Sequence, residues 1–330
     1  MTHNKTAKVT AWGRYLPEKV LTNADLERIV ETSDEWITSR TGIKERRIAK
    51  EDEFPSMMGA AAAKVALERG GLQAKDVDLI LVATLTPDYL FPSTACLIQD
   101  LLGCANAAAF DFQGACSGYI YGLSLAKAFI ESGQYKNVLM IASEKLSAIT
   151  DYEDRSTCVL FGDGASCALV QASDHGLEIA SVNMGCDGKH AEILAQPAGG
   201  ARKPATELTV KSREHFIKMQ GSEVFKHAVR NMIRACESAL DATGLTGEDI
   251  DWLIPHQANM RIIDAIASRF NIDDAKVFKT IQKYGNTSSS SIGIALEECL
   301  DEHPLKEGGH LLLTAFGAGL TWGAAVLKKV

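Results

Sequence analysis

Apolar positions along the chain fall into two alternating patterns. Short, nearly unbroken apolar runs, Val77 to Leu85 (VDLILVATL), Asn137 to Ala142 and Ser166 to Gln171, suit strands buried on both faces. Between them lie stretches at helical spacing, such as the alanine-rich Ser56 to Arg69, stopped by Gly70-Gly71. Residues 7 to 16 (AKVTAWGRYL) predict a strand closed by Pro17, and Thr22 to Ile37 predicts acid-capped helical segments. Alternation of this kind indicates a layered α/β architecture. Gly185 to Arg213, with GCDGKH and PAGGARKPA, reads as a long surface loop.

The pattern also repeats. Ala66 to Leu81 (ALERGGLQAKDVDLIL) aligns without a gap against Ala239 to Ile254 (ALDATGLTGEDIDWLI): helix end, glycine, leucine, acidic turn, Asp-x-Asp and buried strand recur in order. The same offset sets Cys116 opposite Ser289 in YGNTSSSSIGIAL, so each copy has a small-residue corner opening a helix. A third match, Phe161-Gly-Asp-Gly164 against Phe316-Gly-Ala-Gly319, closes each copy with a glycine turn before an apolar strand. Three matches in one order predict two related α/β halves, residues 1–172 and 173–330, packed as one body.

Composition narrows the function classes. The 330 residues, 46% hydrophobic and 23% charged, have the balance of a globular protein, and no apolar run approaches the 18 residues of a membrane span. A net charge of −8 argues against nucleic acid as a partner, since phosphate binding needs a concentrated positive surface. The local basic cluster Arg40, Lys44, Arg46, Arg47 and Lys50 is open to two readings, a site for phosphate or an acidic protein, or a solvated face. The eight cysteines form no CxxC pair and no Cys/His cluster of metal-ligand spacing. With no apolar leader in the first twenty residues, reduced thiols in a cytoplasmic protein are expected.

Candidate chemistry centres on Asp111 to Leu123, DFQGACSGYIYGL, a strand end followed by a tight corner and a helix starting near Cys116. A cysteine in the first helical turn has free N–H groups and the positive end of the helix dipole beside its sulfur, and both favour thiolate. Cys116 is therefore either a nucleophile or one more small core residue. The flanking Gly114 and Gly118 let backbone or ligand approach the sulfur. In the second copy, His256 in IPHQAN ends a strand at the edge where open α/β sheets place ligands. Asn286 in YGNTS precedes a helix. Taken singly, His256 reads equally as a hydrogen-bonded strand end and Asn286 as a cap or Asx turn. Jointly, the three sit at the ends of repeat-related elements, and neither glycine turn satisfies a phosphate-loop or dinucleotide fingerprint.

Beyond these residues the chain carries SDEWITSRTGI, FPSTACLIQ, the ACSG corner, DRSTCVLFGDGA, GSEVFKHAV, IPHQANMRI, YGNTSSSSI and FGAGLTWGAA, in that order. It resembles the β-ketoacyl-acyl carrier protein synthase III family, the initiating condensing enzymes of type II fatty acid synthesis within the thiolase superfamily. The resemblance implies a thiolase-like, five-layered αβαβα fold and a Cys116, His256, Asn286 catalytic set. Cys116 would attack the thioester of an acyl-CoA, with the oxyanion received by the backbone N–H groups of Cys116 and Ala318. Malonyl-acyl carrier protein would then lose CO2, with His256 and Asn286 donating hydrogen bonds to the enolate-like oxygen. No metal or organic cofactor is implied, coenzyme A being part of a substrate.

The same resemblance assigns Trp36 and Arg155 to a sandwich around the adenine of coenzyme A. It assigns Arg40 and Thr41 to the phosphates or ribose, and Asn259 to the pantetheine arm. Lys226 and the segment Gln257, Ala258, Asn259, Met260, Arg261 would dock the acidic carrier protein. Phe91 would cross a twofold interface to close a partner's acyl pocket, implying a homodimer, and Leu146, Phe161, Ile193 and Phe225 would line that pocket. Two departures stand out: the corner is GACSG where relatives often have AACTG or AACAG, and Ala318 replaces a frequent glycine, so its φ must be negative. The alternative within the fold is a specialised acyltransferase or condensing enzyme of secondary metabolism.

Overall fold

The computed structural model describes residues 6–330. In chain order the first half contains β1 (Ala7–Tyr15), β2 (Lys19–Thr22), α1 (Asn23–Leu26), α2 (Asp34–Thr41), β3 (Glu45–Ile48), α3 (Pro55–Gly70), β4 (Leu79–Ala83), α4 (Thr94–Leu102), β5 (Ala108–Phe112), α5 (Gly118–Glu131), β6 (Asn137–Glu144), α6 (Arg155–Cys158) and β7 (Gly164–Ala172). The second contains β8 (Leu177–Cys186), β9 (Leu194–Ala195), α7 (Glu207–Lys211), β10 (Lys218–Met219), α8 (Gly221–Asp241), β11 (Trp252–Pro255), α9 (Met260–Arg269), α10 (Ile281–Tyr284), α11 (Ser291–Glu302), β12 (His310–Gly317) and β13 (Thr321–Lys329). The helices begin and end where local chemistry dictates. Helix α3 starts on Pro55, whose missing N–H costs nothing there, and stops at Gly71 with φ 64°. Helix α4 is capped by the Ser93 hydroxyl and closed by Gly103 at φ 70°.

Strand order in the main sheet is β11-β12-β13-β8-β1-β7-β6-β4-β5. Read outward from the middle, the first half runs β1-β7-β6-β4-β5 and the second β8-β13-β12-β11. Leu253 of β11 also bridges Val277 in parallel, in the place β5 holds beside β4. The two halves join through the short pairing of Lys8 with Glu178 and Val9 with Leu177.

Three apolar clusters separate five layers. One lies between α3, α4 and the first half's strands, and another between α8, α9 and the second half's strands. The third packs Tyr119, Ile120 and Leu123 of α5 with Ile292, Ala295 and Leu296 of α11 between strands of both halves. Helices α5 and α11 thus form the middle layer of a thiolase-like αβαβα arrangement, burying apolar side chains on both sides.

The repeat survives at the level of backbone conformation. Gly71 and Gly244 both take left-handed φ, and the 3-10 turns Ala74–Asp76 and Gly247–Asp249 precede β4 and β11. The 3-10 turns Ala115–Ser117 and Ser288–Ser290 lead directly into α5 and α11. Ala115 (φ 45°) and Ser288 (φ 50°) hold the same strained conformation at equivalent positions, one residue before Cys116 and Ser289. The expected loop from Gly185 to Arg213 is more ordered than its composition suggests. It carries α7 and β9, and β9 pairs with β10 through Leu194–Met219 and Ala195–Lys218.

Candidate active site

Cys116 lies in the 3-10 turn ahead of α5, at the end of β5, and is 8% exposed. The turn is anchored from the second half: the Thr321 hydroxyl donates to the Gly114 carbonyl at 2.8 Å. Gly114 has an ordinary φ of −141°, so the strain sits at Ala115 and the GACSG corner is not loosened by its glycine. Gly118 allows the two corners to touch, since a Cβ there would stand 2.9 Å from Ser289 Cβ. A Cβ at Gly317 would lie 2.6 Å from the Cys116 nitrogen, so only glycine lets the end of β12 come this close to the cysteine. Ala318 follows, without a positive φ, and lines a cavity with Cys116.

The thiol is not the thiolate that a helix N-terminus suggests. Burial raises its pKa to about 12, the nearby Glu144 carboxylate adds to the rise, and the Cys116 N–H and Ser288 hydroxyl only partly oppose it. Desolvation outweighs the dipole because the sulfur is enclosed by protein. Ser288 faces the sulfur without closing a full hydrogen bond.

His256 and Asn286 come from the second half and face the same space. His256 directly follows β11, its N–H donating to the Thr314 carbonyl at 2.8 Å, and it is 3% exposed. Its Nδ1 lies 2.6 Å from Ser291 Oγ. Burial lowers its pKa to about 3, so the ring is neutral throughout the physiological range. Asn286 is held between two main-chain bonds, its N–H to Leu160 and its carbonyl from Gly162, both at 2.9 Å. Its Oδ1 accepts the Ser288 N–H at 2.8 Å. A backbone N–H meets only an acceptor, so the amide orientation is fixed and the NH2 group remains as donor.

Two cavities meet at the sulfur. One, of about 420 Å³, is walled mainly by Leu85, Leu146, Ile149, Phe161, Leu194 and Ile217, with Cys116, Ser288 and Ala318 at its head. The other, of about 730 Å³, brings Cys116, His256 and Asn286 together and extends past Phe316 and Val224 to Trp36, Arg40, Lys226 and Arg261. Among the described residues no group of three or more His, Cys, Asp or Glu is arranged to hold a metal, and no helix is long and apolar enough to cross a membrane.

Other expected residues divide. Trp36, Arg40, Asn259, Ala258, Lys226 and Arg261 all line the larger cavity. Arg155 and Arg40 lie over the Trp36 ring at 4.9 and 5.0 Å. A base between ring and guanidinium needs about 7 Å, twice the ~3.5 Å contact distance, so Arg155 must swing off the ring to form a sandwich. Thr41 also lines the cavity, but its hydroxyl donates to Ile37 O at 2.7 Å and accepts the Ile43 N–H at 3.0 Å, which leaves no proton for a phosphate. Asn259 caps α9 through Oδ1 and donates to the Arg40 carbonyl at 3.0 Å, tying α9 to α2.

Gln257, expected on the docking surface, is instead buried. Its amide donates to Pro255 O and Phe278 O and accepts from the N–H groups of Thr280 and Ile281, so it braces β11 against α10. Met260 is half-buried, packing on the core of the second half. Of the expected acyl-pocket residues, Leu146 and Phe161 line the smaller cavity. Phe225 lines the larger one, and Ile193 lines neither, packing instead on the α8, α9 side of the sheet. Phe91 is 86% exposed beside Tyr89 and Leu90.

One group behind the site escaped the sequence reading. Glu144, the last residue of β6, is fully buried and accepts from Thr86 Oγ1 and Ser289 Oγ at 2.8 Å, Leu85 N at 3.1 Å and Thr84 Oγ1 at 3.3 Å. An acid ending the otherwise apolar run NVLMIAS was its signal.

Two family descriptions match the chain: 3-Oxoacyl-[acyl-carrier-protein (ACP)] synthase III over residues 110–188, and its C-terminal counterpart over residues 240–329. A Beta-ketoacyl-[acyl-carrier-protein] synthase III of Chlamydia caviae is 57% identical over 327 residues, 99% of this chain and 98% of the relative. The chain belongs to the β-ketoacyl-acyl carrier protein synthase III family. It is accordingly an enzyme, an acyltransferase. The crystal structure of 3-oxoacyl-[acyl-carrier-protein] synthase III from Aquifex aeolicus VF5 superposes with a TM-score of 0.90 at 50% identity, covering 98% of this chain and 99% of that one. The priming β-ketosynthase of the R1128 polyketide biosynthetic pathway superposes at 0.92 with 34% identity, covering 100% and 98%. In this synthase III chain the cysteine corner falls within the first matched region, and His256 and Asn286 within the second.

Proposed function

We propose that this synthase III starts fatty acid synthesis by decarboxylative Claisen condensation of a short acyl-CoA with malonyl-acyl carrier protein. The observation that carries the reading is the meeting of the two cavities at Cys116, with His256 and Asn286 opposite. The Cys116 sulfur attacks the thioester carbonyl, the acyl group moves to sulfur, and the thiol proton leaves with coenzyme A as its free thiol. The Cys116 and Ala318 N–H groups receive the transient oxyanion. The acyl chain lies in the apolar cavity while the larger one is vacated for the second substrate's pantetheine arm.

Malonyl thioester then loses CO2, and its developing enolate oxygen accepts hydrogen bonds from the Asn286 amide and the neutral His256 ring. The carbanion attacks the acyl-Cys116 carbonyl, the sulfur departs and recovers a proton, and a β-ketoacyl-carrier thioester leaves. Neutral donors suit this step because they stabilise charge that exists only during it. Lys226 and Arg261 at the mouth offer positive charge to an acidic carrier. Trp36, Arg40 and Arg155 hold the nucleotide end of coenzyme A. The reaction as written uses no cofactor, and its use of coenzyme A thioesters supports a cytoplasmic enzyme.

Exposed Tyr89, Leu90 and Phe91 adjoin α4, which packs beside the sheet-edge strand β5, and this surface supports a homodimer in which Phe91 of each copy closes the other's apolar cavity. The cavity's ~420 Å³ favours primers longer than acetyl if Phe91 leaves it open, which keeps a specialised condensing role as the second reading. Intact-mass analysis after incubation with acetyl-, branched and medium acyl-CoAs tests the proposal. An acyl adduct lost in Cys116→Ala is expected, followed by CO2 release and a β-ketoacyl carrier product on adding malonyl-acyl carrier protein. No adduct with any primer would sink the reading.

A further inference from the structure

His256 is neutral, so it serves as a hydrogen-bond donor only in one of its two tautomers, the one with the proton on the nitrogen that faces the cavity. The structure contains what selects that tautomer. Ser291, the first residue of α11, places Oγ 2.6 Å from His256 Nδ1, and both residues are buried. The same oxygen is approached by the Gln257 N–H at 3.4 Å.

That N–H only donates, so it uses a lone pair of Ser291. The hydroxyl's own proton then has one acceptor among the described residues, the bare Nδ1 of His256. The neighbouring Ser290 hydroxyl, by contrast, spends its proton on the Thr287 carbonyl at 2.9 Å. Were Nδ1 protonated, two donors and a hydroxyl proton would crowd one buried oxygen, and that proton would lose its partner.

We infer that Ser291 is a positioning residue that donates to His256 Nδ1, keeps the ring proton on Nε2, and so makes His256 a donor into the Cys116 cavity. The inference rests on the decarboxylation role assigned to His256 above. It adds a reason why the donor sits in that half. Ser291 is the repeat counterpart of Gly118, so the helix that directly follows the nucleophile in the first copy has as its counterpart the helix that carries the histidine's anchor in the second. The 3-10 turn Ser288–Ser290 immediately before it, whose backbone N–H holds Asn286 Oδ1, ties both donors to one short segment.

The test is 15N-histidine NMR of the free protein at neutral pH, with the His256 resonances assigned by their loss in His256→Ala. Expected in the wild type is an unprotonated Nδ1 and a protonated Nε2. In Ser291→Ala the two tautomers should mix, malonyl-carrier decarboxylation should fall roughly ten- to a hundredfold, below the loss for removing a donor outright, and self-acylation by acyl-CoA should change less than threefold. Ser291→Thr, which keeps the hydroxyl, should recover both the tautomer and most of the rate. An alanine variant whose ring stays wholly in the Nε2–H form overturns the inference, as does a wild type with the proton on Nδ1. A ring that redistributes with condensation unchanged upholds the hydroxyl's control of the tautomer and overturns the donor role of His256 instead.

Discussion

Replacing Glu144 separates hydrogen-bond satisfaction from charge in the buried layer behind the site. Four donors converge on this carboxylate, and among the described residues no cation pairs with it. In Glu144→Ala, Ser289 has a second acceptor in the Ala83 carbonyl at 3.2 Å. Thr84 and Thr86 have no acceptor but Glu144 among the described residues, so each hydroxyl keeps the backbone N–H it accepts, from Thr86 and Lys145, while its own proton is stranded. The Leu85 N–H is stranded as well. Three buried donors at about 1 kcal/mol or more each give a loss of at least ~3 kcal/mol, before any cavity cost. Glu144→Gln behaves differently: one oxygen can take the Thr84, Leu85 and Thr86 donors, and the amide NH2 can face Ser289, which turns to Ala83. Its loss should stay under ~1 kcal/mol at neutral pH.

The pH dependence has a definite sign. Burial raises the folded-state pKa of Glu144 despite four opposing hydrogen bonds. A carboxyl with a raised folded pKa binds more protons folded than unfolded, so its contribution falls as pH rises from the ordinary carboxylate range through the folded value. The wild type should therefore lose stability relative to Glu144→Gln as pH rises above about 4.5. Urea unfolding at fixed protein concentration, followed by far-UV circular dichroism across pH 4.5–8, measures both effects. Equal losses for Ala and Gln, or a wild type that gains on Gln with rising pH, would refute the reasoning.

His256→Ala and Asn286→Ala should each reduce malonyl-carrier decarboxylation about 10²–10³-fold, the usual cost of one oxyanion donor, while acyl transfer to Cys116 persists; parallel losses in both half-reactions would contradict their roles. Alkylation of Cys116 by iodoacetamide in the free enzyme should keep rising about tenfold per pH unit through pH 9, because the thiol's pKa stands near 12; a plateau by pH 8 would show a pre-formed thiolate. Phe91→Asp should yield monomers by analytical ultracentrifugation, and a dimer of unchanged affinity would exclude this surface from the interface. Trp36→Ala should raise KM for acyl-CoA several-fold with little change in kcat, and a fall in kcat alone would place Trp36 away from the nucleotide.

Apolar periodicity, capping residues and the internal repeat determined the element order, the layered class and the pairing of corners, because each depends on contacts within a few residues or on resemblance between segments. The equivalence of Cys116 with Ser289 could be read from letters alone, and the structure repeats it down to the strained residue before each. Direction and partners of side chains were another matter. In IPHQANMRI the sequence presents one polar strip, yet His256 faces the cavity, Gln257 turns into the body to bridge β11 and α10, and Arg261 faces the mouth. Thr41 looked free until its own helix used its hydroxyl, and Glu144, beyond the strand read at 137–142, mattered only once two threonines, a backbone N–H and the far half's serine closed on it. The protonated thiol, the neutral histidine and its tautomer are likewise tertiary facts. Each depends on how completely neighbours distant in sequence exclude water and which single hydrogen-bond partner they leave, and local sequence encodes neither.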